Sequence, residues 1–411
     1  MILRHCLAVC AVVSLAAGAS LPIAKPEAVG ISSARLARVG TALKTEIDGG
    51  LYPGAVVAIL RRGKLVYYEA FGSVDKTSGK PMPKDAIFTI ASMTKPLTAT
   101  GALMLIEEGR LLLNDPVGKY LPQLDNVMVA TPTGAEPVHR KPTIQDLMRH
   151  TAGFTYGNRG TSQLYRNYPQ SSNEAADAMT SDAFLKTLGS LPLFYQPGTH
   201  WDYSFGMDLT GLTIEAVTKQ KLSDYLRERL FTPLGMVDTG FIVPAEKAPR
   251  FARSLPVDPV TGKPQAFRNP VNPTKFDCGG GCIYSTAMDY ARFAEMLRSK
   301  GKFEDKQYLG RKTVEYMTSD QLGPEVDTEK LREFPNMNGY GFGLSVAVRK
   351  GGGVSGMMGT AGDFDWGGAN GTYFWVDPKE ELVVVFMAAA PGDMRVHVRQ
   401  MITTLVLQSV D

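Results

Sequence analysis

The sequence predicts an α/β protein: one antiparallel sheet flanked by helices, built from both chain ends, with a mainly helical domain inserted between them. Three observations carry this. Strand patterns occur near the start, at 55–60 and 64–70, and return at 341–348, 371–376 and 382–387. The stretch between them reads as helices and loops punctuated by Pro and Gly. The hairpin connections are short, which makes neighbouring strands antiparallel. At 411 residues the chain is also too long for one compact core.

The elements follow in order. Met1 to Arg4 carries a positive charge, Cys6 to Leu15 is apolar, and Ala17-Gly18-Ala19 is an A-x-A cleavage pattern. A run of about ten apolar residues suits a signal h-region and is too short to span a bilayer. Residues 1–19 are therefore expected to be a signal peptide, with the mature chain starting near Ser20 and secreted or periplasmic. Leu7-Ala8-Val9-Cys10 is only a poor match to a lipoprotein site.

Ser32 and Ser33 open a helix with Leu36, Val39, Leu43 and Ile47 on one face, closed by Gly49-Gly50. Two strands meet at Arg61-Arg62-Gly63. Phe88 to Ala91 leads to Ser92, and Lys95 to Glu108 is helical. Helices are predicted at 144–149, 209–218, 222–230, 286–297 and 394–407. Asp377 to Glu381 turns between the last two strands. The expected division is 20–95 and 286–411 for the two parts of the α/β domain and 96–285 for the insertion.

Apolar residues make up 44% and charged residues 21%, with a net charge of +3 and no Lys/Arg cluster. That composition suits a globular protein and excludes a nucleic-acid footprint. No stretch after the leader is long and apolar enough for membrane insertion. Cys278 and Cys282 flank three glycines. In an oxidising compartment they form a disulfide or remain as two half-buried thiols; two thiols with no nearby His are too few for a metal.

Ser-x-x-Lys occurs at Ser73, Ser92 and Ser299, and the pattern alone is weak. Ser73 is placed in a polar turn and Ser299 at a helix end. Only Ser92 stands where an apolar entry meets a long helix. Unpaired N–H groups and the helix dipole there favour a developing alkoxide. Lys95, three residues on, shares the helix face, and a lysine drawn into a cleft can accept a proton. The alternative is a serine cap beside a solvated lysine. No Gly-x-Ser-x-Gly elbow exists, and His150 reads as a structural residue ending a helix.

With Ser92 placed, the chain from about Ser32 onward resembles the serine β-lactamase-related family: class C β-lactamases, D-Ala-D-Ala carboxypeptidases and, most closely, family VIII carboxylesterases. The resemblance rests on Ile90 to Lys95, Leu147 to Phe154, Gln196-Pro197-Gly198 with Trp201 to Ser204, Pro233 to Met236, Gly279 to Gly281 before Ser285 to Tyr290, and Trp366 to Ala369. It implies a β-lactamase/transpeptidase-like fold. The family's Tyr-x-Asn is here Tyr203-Ser204-Phe205, with the asparagine lost. Its Lys-Thr-Gly is here Trp366-Gly367-Gly368.

The resemblance implies that Tyr203 and Lys95 form the base, and that the Ser92 and Ala369 N–H groups form the oxyanion hole. Trp366, Gly367, Gly368 and Phe205 become the substrate-binding residues. It implies no metal and no cofactor, and a small ester or amide as substrate. Losing the family lysine favours neutral short-chain esters over β-lactams, unless another cation near Arg349 and Lys350 substitutes. The rival readings are a β-lactamase, a carboxypeptidase, an acyltransferase and a non-catalytic penicillin-binding-like protein.

Overall fold

A computed structural model describes residues 21–265 and 268–411, so the expected signal peptide lies outside the described residues. Strands from both ends join in one eight-stranded antiparallel sheet. They are β1 (Gly54–Arg61), β2 (Lys64–Asp75), β3 (Lys80–Pro81), β4 (Tyr340–Phe342), β5 (Ala347–Arg349), β6 (Phe364–Gly367), β7 (Tyr373–Asp377) and β8 (Leu382–Ala388). The spatial order is β4-β5-β6-β7-β8-β1-β2-β3.

The two ends meet where β1 pairs with β8, Ala55 opposite Ala388 through Arg61 opposite Leu382. Because side chains alternate across a strand, β1 serves two cores. Ala55, Val57 and Ile59 join Val384 and Phe386 in one. That core is covered by α1 (Ser33–Asp48) and α5 (Met394–Leu407), through Leu36, Val39, Leu43, Val398 and Ile402. Val56, Ala58 and Leu60 face the larger core, with Ala291 and Ala294 of α4 (Ala287–Arg298). All eight residues of β1 are therefore buried, as a strand covered on both faces requires.

Beyond α4 lie α2 (Thr94–Glu107) and α3 (Gly206–Thr218). Every residue of α2 from Thr94 to Leu105 is buried, the state of a helix enclosed on all sides. Short helices at Ile144–Met148, Gln163–Asn167, Ser172–Ala178 and Ser181–Ser190 build most of the rest of the middle. Among the described residues, no helix is long and apolar enough to cross a membrane.

Local corrections follow from backbone geometry. The strand expected over 341–348 is a hairpin, β4 and β5, because Ser345 adopts φ 73° and Gly343 N–H bonds Val346 C=O at 2.8 Å. Ser73 is not in a turn: it lies in β2, opposite Pro81. Of the two readings for Cys278 and Cys282, the disulfide is the one found, their Cα atoms 5.3 Å apart.

Candidate active site

Ser92 lies in a tight turn, Ala91–Met93, that runs directly into α2. Ala91 holds φ 44°, a conformation a non-glycine residue keeps only when its surroundings impose it. Those surroundings are visible. Phe88 and Thr89 pair with Ser285 and Tyr284, and Ile90 N–H donates to Ile283 C=O at 3.1 Å. The entry to Ser92 is thereby tied to the chain just after the disulfide.

The same loop clasps the first turns of α2. Lys95 Nζ donates to Gly280 C=O at 2.6 Å, Thr98 Oγ1 donates to Gly279 C=O at 2.9 Å, and Ile283 N–H donates to Thr94 Oγ1 at 3.1 Å. Lys95 is 1% exposed, and its Nζ sits 4.5 Å from the centre of the Tyr203 ring. Asp208, on the first turn of α3, accepts Gly280 N–H at 2.9 Å and Ser172 Oγ–H at 2.8 Å. Since Ser172 spends its proton on Asp208, Tyr156 Oη–H, 2.9 Å away, donates to Ser172 Oγ. Burial raises the Asp208 pKa, against the pull of Lys95 and these hydrogen bonds.

Tyr203 is held by aromatic packing. His150 lies 4.7 Å from its ring, Phe334 5.4 Å, and Trp366 and Tyr156 5.5 Å each. Its hydroxyl is buried and bonded to no described protein group. His150 is at a helix end, as expected, with φ 59° and Nδ1 3.0 Å from Ser204 Oγ. Burial, with Lys95 and Arg159 nearby, pushes its imidazole well below the usual range, so it packs as a neutral ring.

Ser92, Lys95, Tyr203 and Ala369 line one cavity of about 460 Å³, together with Trp366, Gly367 and Gly368. Trp366 and Gly367 end β6, which is an interior strand rather than an edge. β5 pairs only as far as Phe364 and Asp365, so Trp366 and Gly367 pair with β7 alone. Phe205 is the misplaced expectation. It is fully buried and does not line the cavity, and its ring packs on Tyr156 at 4.4 Å and on Phe184 at 5.2 Å. Tyr156, Ser172 and Asn173 face the cavity instead. The other Ser-x-x-Lys serine, Ser299, caps the C-terminus of α4 and donates to Glu295 Oε1.

Arg349 and Lys350, the cations singled out in the sequence, do not line the cavity. Arg349 pairs with Asp363 at 2.9 Å and Lys350 with Asp320 at 2.7 Å. Arg395 and Arg399 of α5 line the cavity, as does Arg159. Their sequence signal was a pair of arginines four apart on the closing helix, which share a helix face. Arg399 Nη2 donates to Gly368 C=O at 2.6 Å and Thr372 C=O at 3.0 Å. Arg395 Nη1 donates to Ala369 C=O at 3.3 Å. Among the described residues no group of three His, Cys, Asp or Glu could hold a metal.

A serine and a buried lysine one helical turn apart, opposite the end of a strand in a two-part α/β fold, define a serine hydrolase of the penicillin-recognising class. The chain belongs to the β-lactamase family, whose profile matches residues 42–406. It is 29% identical to Esterase EstB of Burkholderia gladioli over 355 residues, covering 81% of this chain and 85% of that one. It is 33% identical to Protein Rv1367c of Mycobacterium tuberculosis over 364 residues, 85% and 88% of the two chains. Among solved structures, "EstCE1, a hydrolase with promiscuous acyltransferase activity" superposes with a TM-score of 0.80 at 24% identity, over 91% of this chain and 98% of that one.

Proposed function

We propose that this protein is an exported carboxylesterase that forms an acyl-enzyme on Ser92. The observation that carries the reading is that Ser92, Lys95, Tyr203 and Ala369, from three distant stretches of chain, line one cavity. Tyr203 and Lys95 act together as the base. They take the Ser92 proton as Oγ attacks the ester carbonyl, while the Ser92 and Ala369 N–H groups hold the oxyanion. The tetrahedral intermediate collapses, the proton passes to the departing alkoxide, and water repeats the sequence in reverse to free the acid. An alcohol in place of water gives acyl transfer, a second reading favoured by the resemblance to EstCE1 and to Acyltransferase mokF of Monascus pilosus.

Ester specificity is supported by Trp366, which is 4% exposed and offers apolar area where the family lysine would stand. Export is supported by the order of charge, apolar run and small residues in 1–19. The test is hydrolysis of nitrophenyl esters together with covalent labelling by a fluorophosphonate. Ser92→Ala should abolish both. Labelling that persists in this variant refutes the assignment, and an unlabelled wild-type chain supports a binding protein instead.

A further inference from the structure

Gly368 C=O and Ala369 N–H belong to one planar peptide group. Whatever fixes the oxygen therefore fixes the direction of the N–H on its opposite side. Two donors fix it: Arg399 Nη2 at 2.6 Å and Gly371 N–H at 3.2 Å. The peptides on either side are held as well, Ala369 C=O by Arg395 Nη1 at 3.3 Å and Gly368 N–H by Thr372 C=O at 2.8 Å. The guanidinium lies so close to the strand that a Cβ on Gly367 would stand 2.3 Å from Arg399 Cζ. Glycine at 367 thus makes room for a cation beneath the strand end.

We infer that Arg399 is a positioning residue for the oxyanion hole: by binding Gly368 C=O, it aims the Ala369 N–H into the cavity and strengthens it as a donor. A charge-assisted hydrogen bond on the carbonyl oxygen draws electron density from the amide nitrogen, which makes its proton a better donor. Burial and the neighbouring Arg395 lower Arg399 to about 10, so it stays charged at neutral pH. Such a preorganised donor acts on the charge that develops in the transition state and not on the ground-state ester. The effect applies to both halves of the reaction, since each passes through an oxyanion. The inference rests on Ser92 being the acylated residue.

The test compares Arg399→Gln and Arg399→Lys with wild type on a nitrophenyl ester and on an alkyl boronic acid, whose tetrahedral adduct places an oxygen in the hole. Arg399→Gln should lose about 10- to 100-fold in kcat with KM changed less than about threefold. Boronate affinity should fall in parallel with kcat/KM. Arg399→Lys, which keeps one charged donor, should recover part of both losses. If Arg399→Gln does not fold, the lysine variant carries the comparison alone, with an intermediate loss expected in both readouts. A rise in KM at unchanged kcat would overturn the inference and make Arg399 a substrate-binding cation. A fall in kcat with boronate affinity unchanged would overturn it equally. Fluorophosphonate labelling of wild type at Ser92 separates these results from failure of the underlying reading, which would appear as no label at Ser92 at all.

Discussion

A single methyl group at Gly368 tests how closely the candidate site is built. A Cβ there would lie 2.2 Å from Thr372 Oγ1 and 2.3 Å from Ile90 O. Neither neighbour can swing aside: Ile90 O is main chain, and the buried Thr372 hydroxyl donates to it at 3.3 Å. Real Cβ contacts essentially never fall below 3.0 Å, so the strand and the Ser92 turn must part by about 0.7 Å. Ile90 stands two residues before Ser92, and Ala369 follows Gly368, so the displacement opens the gap between the two proposed oxyanion donors. A misplacement near 1 Å costs roughly 100-fold. Gly368→Ala should therefore lose about 30- to 100-fold in kcat/KM, while overpacking destabilises it by about 1–3 kcal/mol. The assay is ester hydrolysis normalised by titration of active sites, beside a urea melt. A folded variant with wild-type kcat/KM per site would refute the reasoning.

Three further outcomes follow from the same geometry. Lys95→Met and Tyr203→Phe should each fold and lose at least about 100-fold in rate, with the double variant no slower than the worse single one. Losses that multiply would show two independent roles. Reducing the Cys278–Cys282 disulfide should lower stability by about 2 kcal/mol and slow turnover, because the loop it closes carries the Gly280 carbonyl that holds Lys95. Tm and rate that ignore the reductant would contradict this. Glu215, raised by burial to about 7, accepts Leu222 N–H at 2.9 Å. Its charged form is the disfavoured one, so its share of stability is present below the usual carboxylate range and is lost as pH climbs through about 7. Glu215→Gln, which keeps an acceptor oxygen, should stabilise by about 1–3 kcal/mol at pH 8 and by little at pH 4; equal effects at both pH values in urea melts would refute the assignment.

Much of this protein was legible because its signals are local. The α1 stripe of Leu36, Val39, Leu43 and Ile47 is the face that is buried, and α5 runs over Met394–Leu407 as its periodicity predicts. The placement of Ser92 and Lys95 on one turn needed only helical spacing. The break at Ser345 was hidden because its neighbours read as one apolar run, and a positive φ leaves little trace in a serine.

What the amino-acid sequence determined by itself is the class of fold and the two residues of the Ser-x-x-Lys turn. Periodicity and residue spacing act over one or two turns of chain, and a single sequence displays them directly. The family resemblance added Tyr203 and Trp366 to Ala369, which do line the cavity, and only the tertiary structure decided the contacts around them. It sent the Phe205 ring into the core and Tyr156 to the cavity. It set Asp208 behind Gly280, and brought Arg395 and Arg399, not Arg349, to the cavity wall. Each of these depends on which face of one element meets another across long stretches of chain. That is fixed by how the two cores fill, and no local pattern records it.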